Sequence, residues 1–187
     1  MDLEIAGRRA AVIGHRDDPV VAACERLLSA EGARLVTTDD ASAGVSIMIV
    51  AGSRRPESTL LDGTDADDLY SAWDEAVETI AGYRAVAERM TSDGWGRMVW
   101  IGSAQSKSVD AEHDELGAVV SLGMLGLHKV ITSELGPGGV TANAVLRGGD
   151  ATDEDVASAA VFLCSAGAGY LSGITMTVDG GAGSGVF

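Results

Sequence analysis

Short apolar runs alternate with longer segments of helical period along most of this chain of 187 residues. Each run is about five residues long and rich in valine, isoleucine or alanine, which is typical of parallel strands buried on both faces. We predict six such strands, at residues 9–14, 34–38, 45–50, 97–101, 140–145 and 174–178.

The segments between these runs repeat their apolar residues every three or four positions, as a helix covering a sheet does. We predict helices at residues 17–32, 64–90, 112–135 and 152–166. Pro19 after two acids marks the start of the first, and Thr152 with Asp155 forms a capping-box pattern at the last. This alternation indicates an α/β chain with a doubly wound, Rossmann-like, mostly parallel sheet. At this length we expect one domain over residues 1–187.

Charge narrows the set of partners. The chain has 28 acidic and 13 basic residues, a net charge of −15, so we expect neither nucleic acid nor a membrane surface as a partner. We find no uninterrupted apolar run of about 20 residues and no basic, signal-like N-terminus, and therefore expect a cytoplasmic protein. Cys24 and Cys164 lie far apart in apolar helical segments, which predicts reduced core thiols and no metal site.

Five segments, in order, resemble the short-chain dehydrogenase/reductase family. They are residues 3–14, 31–36, 94–103, 134–145 and 170–181. The most specific is 134–145, ELGPGGVTANAV, which is close to the family's ELGPxGITVNAV. The resemblance implies the fold of NAD(P)-dependent oxidoreductases, in which a glycine-rich turn before the first helix holds the cofactor pyrophosphate.

That turn departs from the family's pattern, T-G-x-x-x-G-x-G. Gly14 keeps the first glycine, but Asp18 and Val20 stand at the second and third. A side chain at the second position keeps phosphate away from the backbone, and a carboxylate repels it. Only residues 39–44 separate the second and third predicted strands, so we also expect the family's third strand, at the adenine edge of the sheet, to be deleted. We therefore predict that NAD(P) binding is lost and that the chain has no cofactor.

The family's acid/base group is a tyrosine with a lysine four residues later on one helical face. Here the tyrosine position falls at Gly117 and the lysine position at Ser121, while the sole asparagine, Asn143, lies in a predicted strand. Ser103 matches the family's catalytic serine, and His113 lies in an acidic cluster near the same edge of the sheet. These two are the candidate catalytic residues, although a serine ending a strand is also a common turn residue.

Two further residues lie near this edge or on the long third helix. Arg147 replaces the proline of the family's NAVAPG segment and begins a lid that we expect to be short. His128, on the helix at 112–135, is expected to be a surface or interface group.

The helix at 112–135 carries more apolar residues than the one-sided stripe that covering a sheet requires. In the family, the equivalents of this helix and of the helix at 64–90 form a four-helix dimer interface and the last strand forms a second one. The resemblance therefore implies these interface residues: Trp73, Leu116, Gly123, Leu127, Val130 and Val178.

We predict a subunit that is not catalytically active alone. It assembles with an active short-chain dehydrogenase or ketoreductase, such as one acting on acyl thioesters, in a heterodimer or heterotetramer. One alternative is an isomerase, cyclase or dehydratase that uses Ser103 and His113. Another is a homo-oligomeric module that binds a small molecule.

Overall fold

Six parallel strands form one sheet in the computed structural model, which describes residues 2–37, 44–52, 66–107 and 115–183, with only the backbone for 115–117. The strands are β1 (Arg9–Ile13), β2 (Arg34–Leu35), β3 (Ile47–Ala51), β4 (Gly96–Ser103), β5 (Val140–Arg147) and β6 (Thr175–Val178). Their order across the sheet is β2-β1-β3-β4-β5-β6. The predicted doubly wound parallel sheet of six strands is confirmed.

Four helices cover the two faces of this sheet. They are α1 (Pro19–Ala30), α2 (Ala66–Ser92), α3 (Glu115–Leu135) and α4 (Asp153–Leu163). One hydrophobic cluster joins the sheet to α1 and α4, and a second joins its opposite face to α2 and α3. Strand residues alternate between the two clusters, because successive side chains of a strand point to opposite faces.

Local signals set the start of two helices. Asp18 caps α1, since its Oδ1 accepts a hydrogen bond from Val20 N at 3.1 Å, and Pro19 occupies the first turn. At α4, Thr152 Oγ1 accepts from Asp155 N at 3.2 Å, while Asp155 Oδ2 accepts from Thr152 N at 3.0 Å. Both predicted starts are therefore confirmed, with the capping box complete.

Some predicted boundaries differ from those observed. β2 has two residues where five were predicted, and α4 ends at Leu163, whereas the prediction extended to residue 166. β2 pairs with β1 through Arg34 with Arg9 and Leu35 with Ala10, and Val36 N just after the strand still donates to Ala10 O at 2.9 Å. The segment expected to lack the third strand, 39–44, lies almost wholly outside the described residues, so that deletion stays a prediction.

The side of the sheet on which successive strands are added changes between β1 and β3. From β1 it moves outward to β2, then returns to place β3 on the other side of β1. In open α/β sheets, ligands bind at the carboxyl ends of the strands beside such a switch point. Ser103 and Arg147, which are paired at the ends of β4 and β5, lie at this carboxyl edge.

The helix α3 is unusually apolar. The segment Ala118–Gly138 is long and apolar enough to cross a membrane by length and composition, with a mean hydropathy of 1.2. The sequence expectation concerned uninterrupted apolar runs, whereas this segment is interrupted by Lys129 and Glu134, and a core helix passes the same test of length and composition. Val120, Met124 and Ile131 of this helix are buried against the sheet, so one of its faces belongs to the core.

Candidate functional site

Ser103 ends β4 with its hydroxyl engaged in a local turn. Its Oγ accepts a hydrogen bond from Gln105 N at 3.2 Å, which caps the short 3-10 turn Ala104–Ser106. Its backbone N donates to Ser121 Oγ at 3.1 Å, and Ser121 is 2% exposed. The residue at the family's lysine position is thus a buried neutral hydroxyl that fastens α3 to the end of β4.

Of the two predicted catalytic residues, only Ser103 lies in the described part of the chain. His113 lies outside the described residues, and Gly117 is described only as helical backbone. Among the described side chains, no histidine, lysine or carboxylate forms a hydrogen bond with Ser103 Oγ. A serine hydroxyl needs an adjacent base to act as a nucleophile. The described part of the site therefore supports a capping role for Ser103.

The turn after β1 holds an ion pair. Arg147 Nη2 lies 3.9 Å from Asp18 Oδ1 and 3.4 Å from Asp153 Oδ1. The side chains of Arg147 and Asp18 are 17% and 7% exposed. The guanidinium at the end of β5 therefore links the N-terminal ends of α1 and α4. Sequence reasoning found both Asp18 and Arg147 but did not pair them.

The residues at this turn do not fit a dinucleotide pyrophosphate. A phosphate group there would need free N–H groups at the start of α1 and a positive local potential. Instead, the Asp18 carboxylate accepts from Val20 N and carries its own negative charge. The surviving Gly14 has a packing role of its own, because a Cβ there would lie 2.8 Å from Val21 Cγ2.

A buried polar pair that the sequence analysis missed lies between α2 and α3. Tyr83 Oη lies 3.1 Å from His128 Nε2, and His128 Nδ1 lies 2.7 Å from Met124 O. His128 is 2% exposed, so its expected surface position was wrong. The spacing of Met124, His128 and Ile131 along one helical face was the available signal. Burial lowers the pKa of His128 to about 4 and raises that of Tyr83.

The exposed surfaces of α2 and α3 carry several large apolar residues. Seven of the nine large hydrophobic residues exposed in the described chain lie on these two helices: Leu69, Tyr70, Trp73, Val77, Val119, Leu122 and Val130. We call these seven residues the α2–α3 face. Exposed apolar residues gathered in one patch are typical of an interaction surface, whereas scattered ones are ordinary.

The predicted interface residues occupy different environments. Trp73 is 40% exposed and Val130 52% exposed, while Leu127 and Val178 are half-buried. Gly123 is exposed and receives the Trp73 ring of the same chain, since a Cβ there would lie 2.9 Å from Trp73 Cη2. The side chain of Leu116 lies outside the described residues. Their role as an interface stays a prediction.

An acidic cleft of about 560 Å³ lies beside the end of β6. Three carboxylates line it, Asp150, Asp155 and Asp179. Asp155 closes the cap of α4, and Asp179 accepts from Gly181 N and Gly183 N. In the described ranges, no three histidines, cysteines or carboxylates are grouped to hold a metal ion. The cleft therefore offers no evident ligand chemistry.

Comparison with known sequences finds partial matches, one of them to a reductase. The chain is 29% identical over 123 residues to the 3-oxoacyl-(acyl-carrier-protein) reductase FabG of Pseudomonas aeruginosa, covering 52% of this chain and 49% of the relative. It is 27% identical over 121 residues to nodulation protein G of Azospirillum brasilense, covering 51% and 49%. The chain thus spans about half the length of the curated relatives it matches. No family model matches it.

Solved structures share the fold over nearly the whole chain. A short-chain dehydrogenase/reductase family protein superposes with a TM-score of 0.83 at 22% identity, covering 95% of this chain and 98% of that one. The short-chain dehydrogenase/reductase from Serratia marcescens BCRC 10948 gives 0.76 at 19% identity, with the same coverage. At 19% and 22% sequence identity, these superpositions show a similarity of fold alone.

Proposed function

We propose that this chain, which resembles the short-chain dehydrogenases/reductases, serves as a non-catalytic subunit that assembles with an active member of that family. The observation that carries the proposal is the α2–α3 face. A chain whose largest exposed apolar residues gather on two neighbouring helices has a surface suited to docking.

The carboxyl edge of the sheet supports the non-catalytic part of the proposal. Ser121 and Gly117 stand at the positions of the family's lysine and tyrosine, and neither can exchange a proton near neutral pH. The Asp18–Arg147–Asp153 ion pairs take up the turn where a pyrophosphate would bind. We propose that NAD(P) is neither bound nor needed by this chain.

The partner that we propose is a reductase of acyl thioesters. FabG, by its name, reduces 3-oxoacyl groups on acyl carrier protein, and it is among the relatives of this chain. Two relatives that share a fold can use equivalent helices to form a mixed interface. We place the assembly in the cytoplasm, where Cys24 and Cys164 remain the buried free thiols that the structure shows.

Co-expression with each host homologue that retains the Tyr-x-x-x-Lys motif tests the proposal. We expect native mass spectrometry to find a stable heterodimer or heterotetramer with one of them. Leu122→Asp places a charge on the α2–α3 face and is expected to abolish the complex. The matched control is Tyr170→Asp, which changes a fully exposed aromatic residue elsewhere. Self-association alone, with no effect on the homologue's activity, refutes the proposal.

Calorimetry tests the cofactor part separately. We expect no heat of binding from NAD(H) or NADP(H) at micromolar concentration of the wild-type protein. Micromolar binding would contradict the argument from Asp18 and Arg147.

A further inference from the structure

A row of acidic residues borders the α2–α3 face. On α2, the exposed apolar residues Tyr70, Trp73 and Val77 follow one another at spacings of three and four. Exposed Asp74 and Glu78 are one position further along, so they form the adjacent row of the same helix surface. The apolar stripe therefore runs beside two like charges on its outer margin.

The outer surface of α3 is mainly apolar, and Lys129 and Glu134 are the exposed charged residues among its described side chains. Val119, Leu122 and Val130 are exposed there together with Gly123 and Gly126. A helix that presents valine, leucine and glycine to solvent suits close contact with an apolar partner surface. The charge of the combined surface is consequently set mainly by α2.

Acidic residues outnumber basic ones on the two helices. The acids are Asp67, Asp68, Asp74, Glu75, Glu78, Glu88, Glu115 and Glu134, and the bases are Arg84, Arg89 and Lys129. Arg89 already pairs with Asp93 through its Nε at 2.8 Å. Few cations are thus left on these helices to meet acids brought by another copy of the chain.

A twofold self-dimer through this face brings each acidic margin against another surface of the same composition. Like charges across an interface oppose association and so select against the wrong partner. We infer that the α2–α3 face is built for a partner whose equivalent helices carry lysine or arginine beside their apolar stripe. This inference rests on the proposed function and specifies the kind of partner surface.

The test compares two double variants with the same change in net charge. The margin variant, Asp74→Asn with Glu78→Gln, neutralises the two acids beside the apolar stripe of α2. Glu25→Gln with Glu31→Gln neutralises two exposed acids at α1, on the other face of the sheet. Each protein is studied alone by sedimentation velocity, and with the captured homologue by biolayer interferometry, at 50 and 500 mM NaCl.

We expect the margin variant to self-associate about 3- to 10-fold more tightly and to bind the homologue more weakly by a similar factor, with the control unchanged. High salt should act on the wild type in the same two directions. Suppose that Leu122→Asp abolishes binding to the homologue, but that neither the margin variant nor salt changes it. That result overturns this inference and leaves the proposed function standing. Binding to no homologue overturns both.

Discussion

Replacing Tyr83 by phenylalanine tests the polar pair between α2 and α3. The Tyr83 side chain is 3% exposed, and phenylalanine keeps the ring that meets the His128 ring edge-on with centroids 5.5 Å apart. Because Met124 O can only accept, His128 Nδ1 carries the proton, and the neutral Nε2 accepts from the Tyr83 hydroxyl. The substitution therefore leaves one buried acceptor without its donor.

The expected loss follows from that single unsatisfied nitrogen. A buried acceptor deprived of its partner costs about 1–3 kcal/mol in the free energy of unfolding. Loss of the packed ring does not contribute, because the ring stays. Tyr70→Phe, the same chemical change at a residue that is 68% exposed on the same helix, is expected to cost less than about 0.5 kcal/mol.

Urea unfolding at pH 7.5, followed by tryptophan fluorescence at fixed protein concentration, measures both variants. His128→Leu and the double variant complete a double-mutant cycle, for which we expect a coupling free energy of about 1 kcal/mol. Equal unfolding free energies for Tyr83→Phe and Tyr70→Phe, or a coupling near zero, would refute the assigned hydrogen bond.

Two further predictions concern pH and helix capping. The pKa of His128 is about 4 in the fold and 6.5 in the unfolded chain, so the unfolded chain binds the extra proton between these values. About 3 kcal/mol of stability is therefore lost as the pH falls from 6.5 to 4. The prediction is contradicted if the unfolding free energy of the wild type falls no more than that of His128→Leu over this pH range. Thr152→Ala removes half of the α4 capping box and is expected to lower the free energy of unfolding, measured in urea, by about 1 kcal/mol. The control, Ser133→Ala at an exposed position, is expected to leave it unchanged.

The sequence predicted most of the fold because the signals involved are local. Strand and helix periods depend on neighbouring residues, and the caps at Asp18 and Thr152 depend on backbone groups two or three positions away. The absence of a tyrosine followed four residues later by lysine is likewise a property of the sequence. These features needed no knowledge of which segments meet in space.

The candidate site depended on contacts between distant segments. Ser103 was found by its motif, but only the packing of α3 against β4 shows that its backbone N donates to Ser121 Oγ. His128 was misplaced because a histidine in an apolar helix is compatible with either surface. Only the packing of α2 over α3 brings Tyr83 to its Nε2.

By itself, the sequence determined the order and type of the elements and the absence of any tyrosine followed four residues later by lysine. The tertiary structure decided that Arg147 lies between Asp18 and Asp153, that Trp73 covers Gly123, and which apolar residues of α2 and α3 stay exposed. The physical reason is that hydrogen-bonding period and capping are set within a few residues. Ion pairs and exposed faces depend instead on which strands lie side by side, and that order is set by crossovers between distant segments.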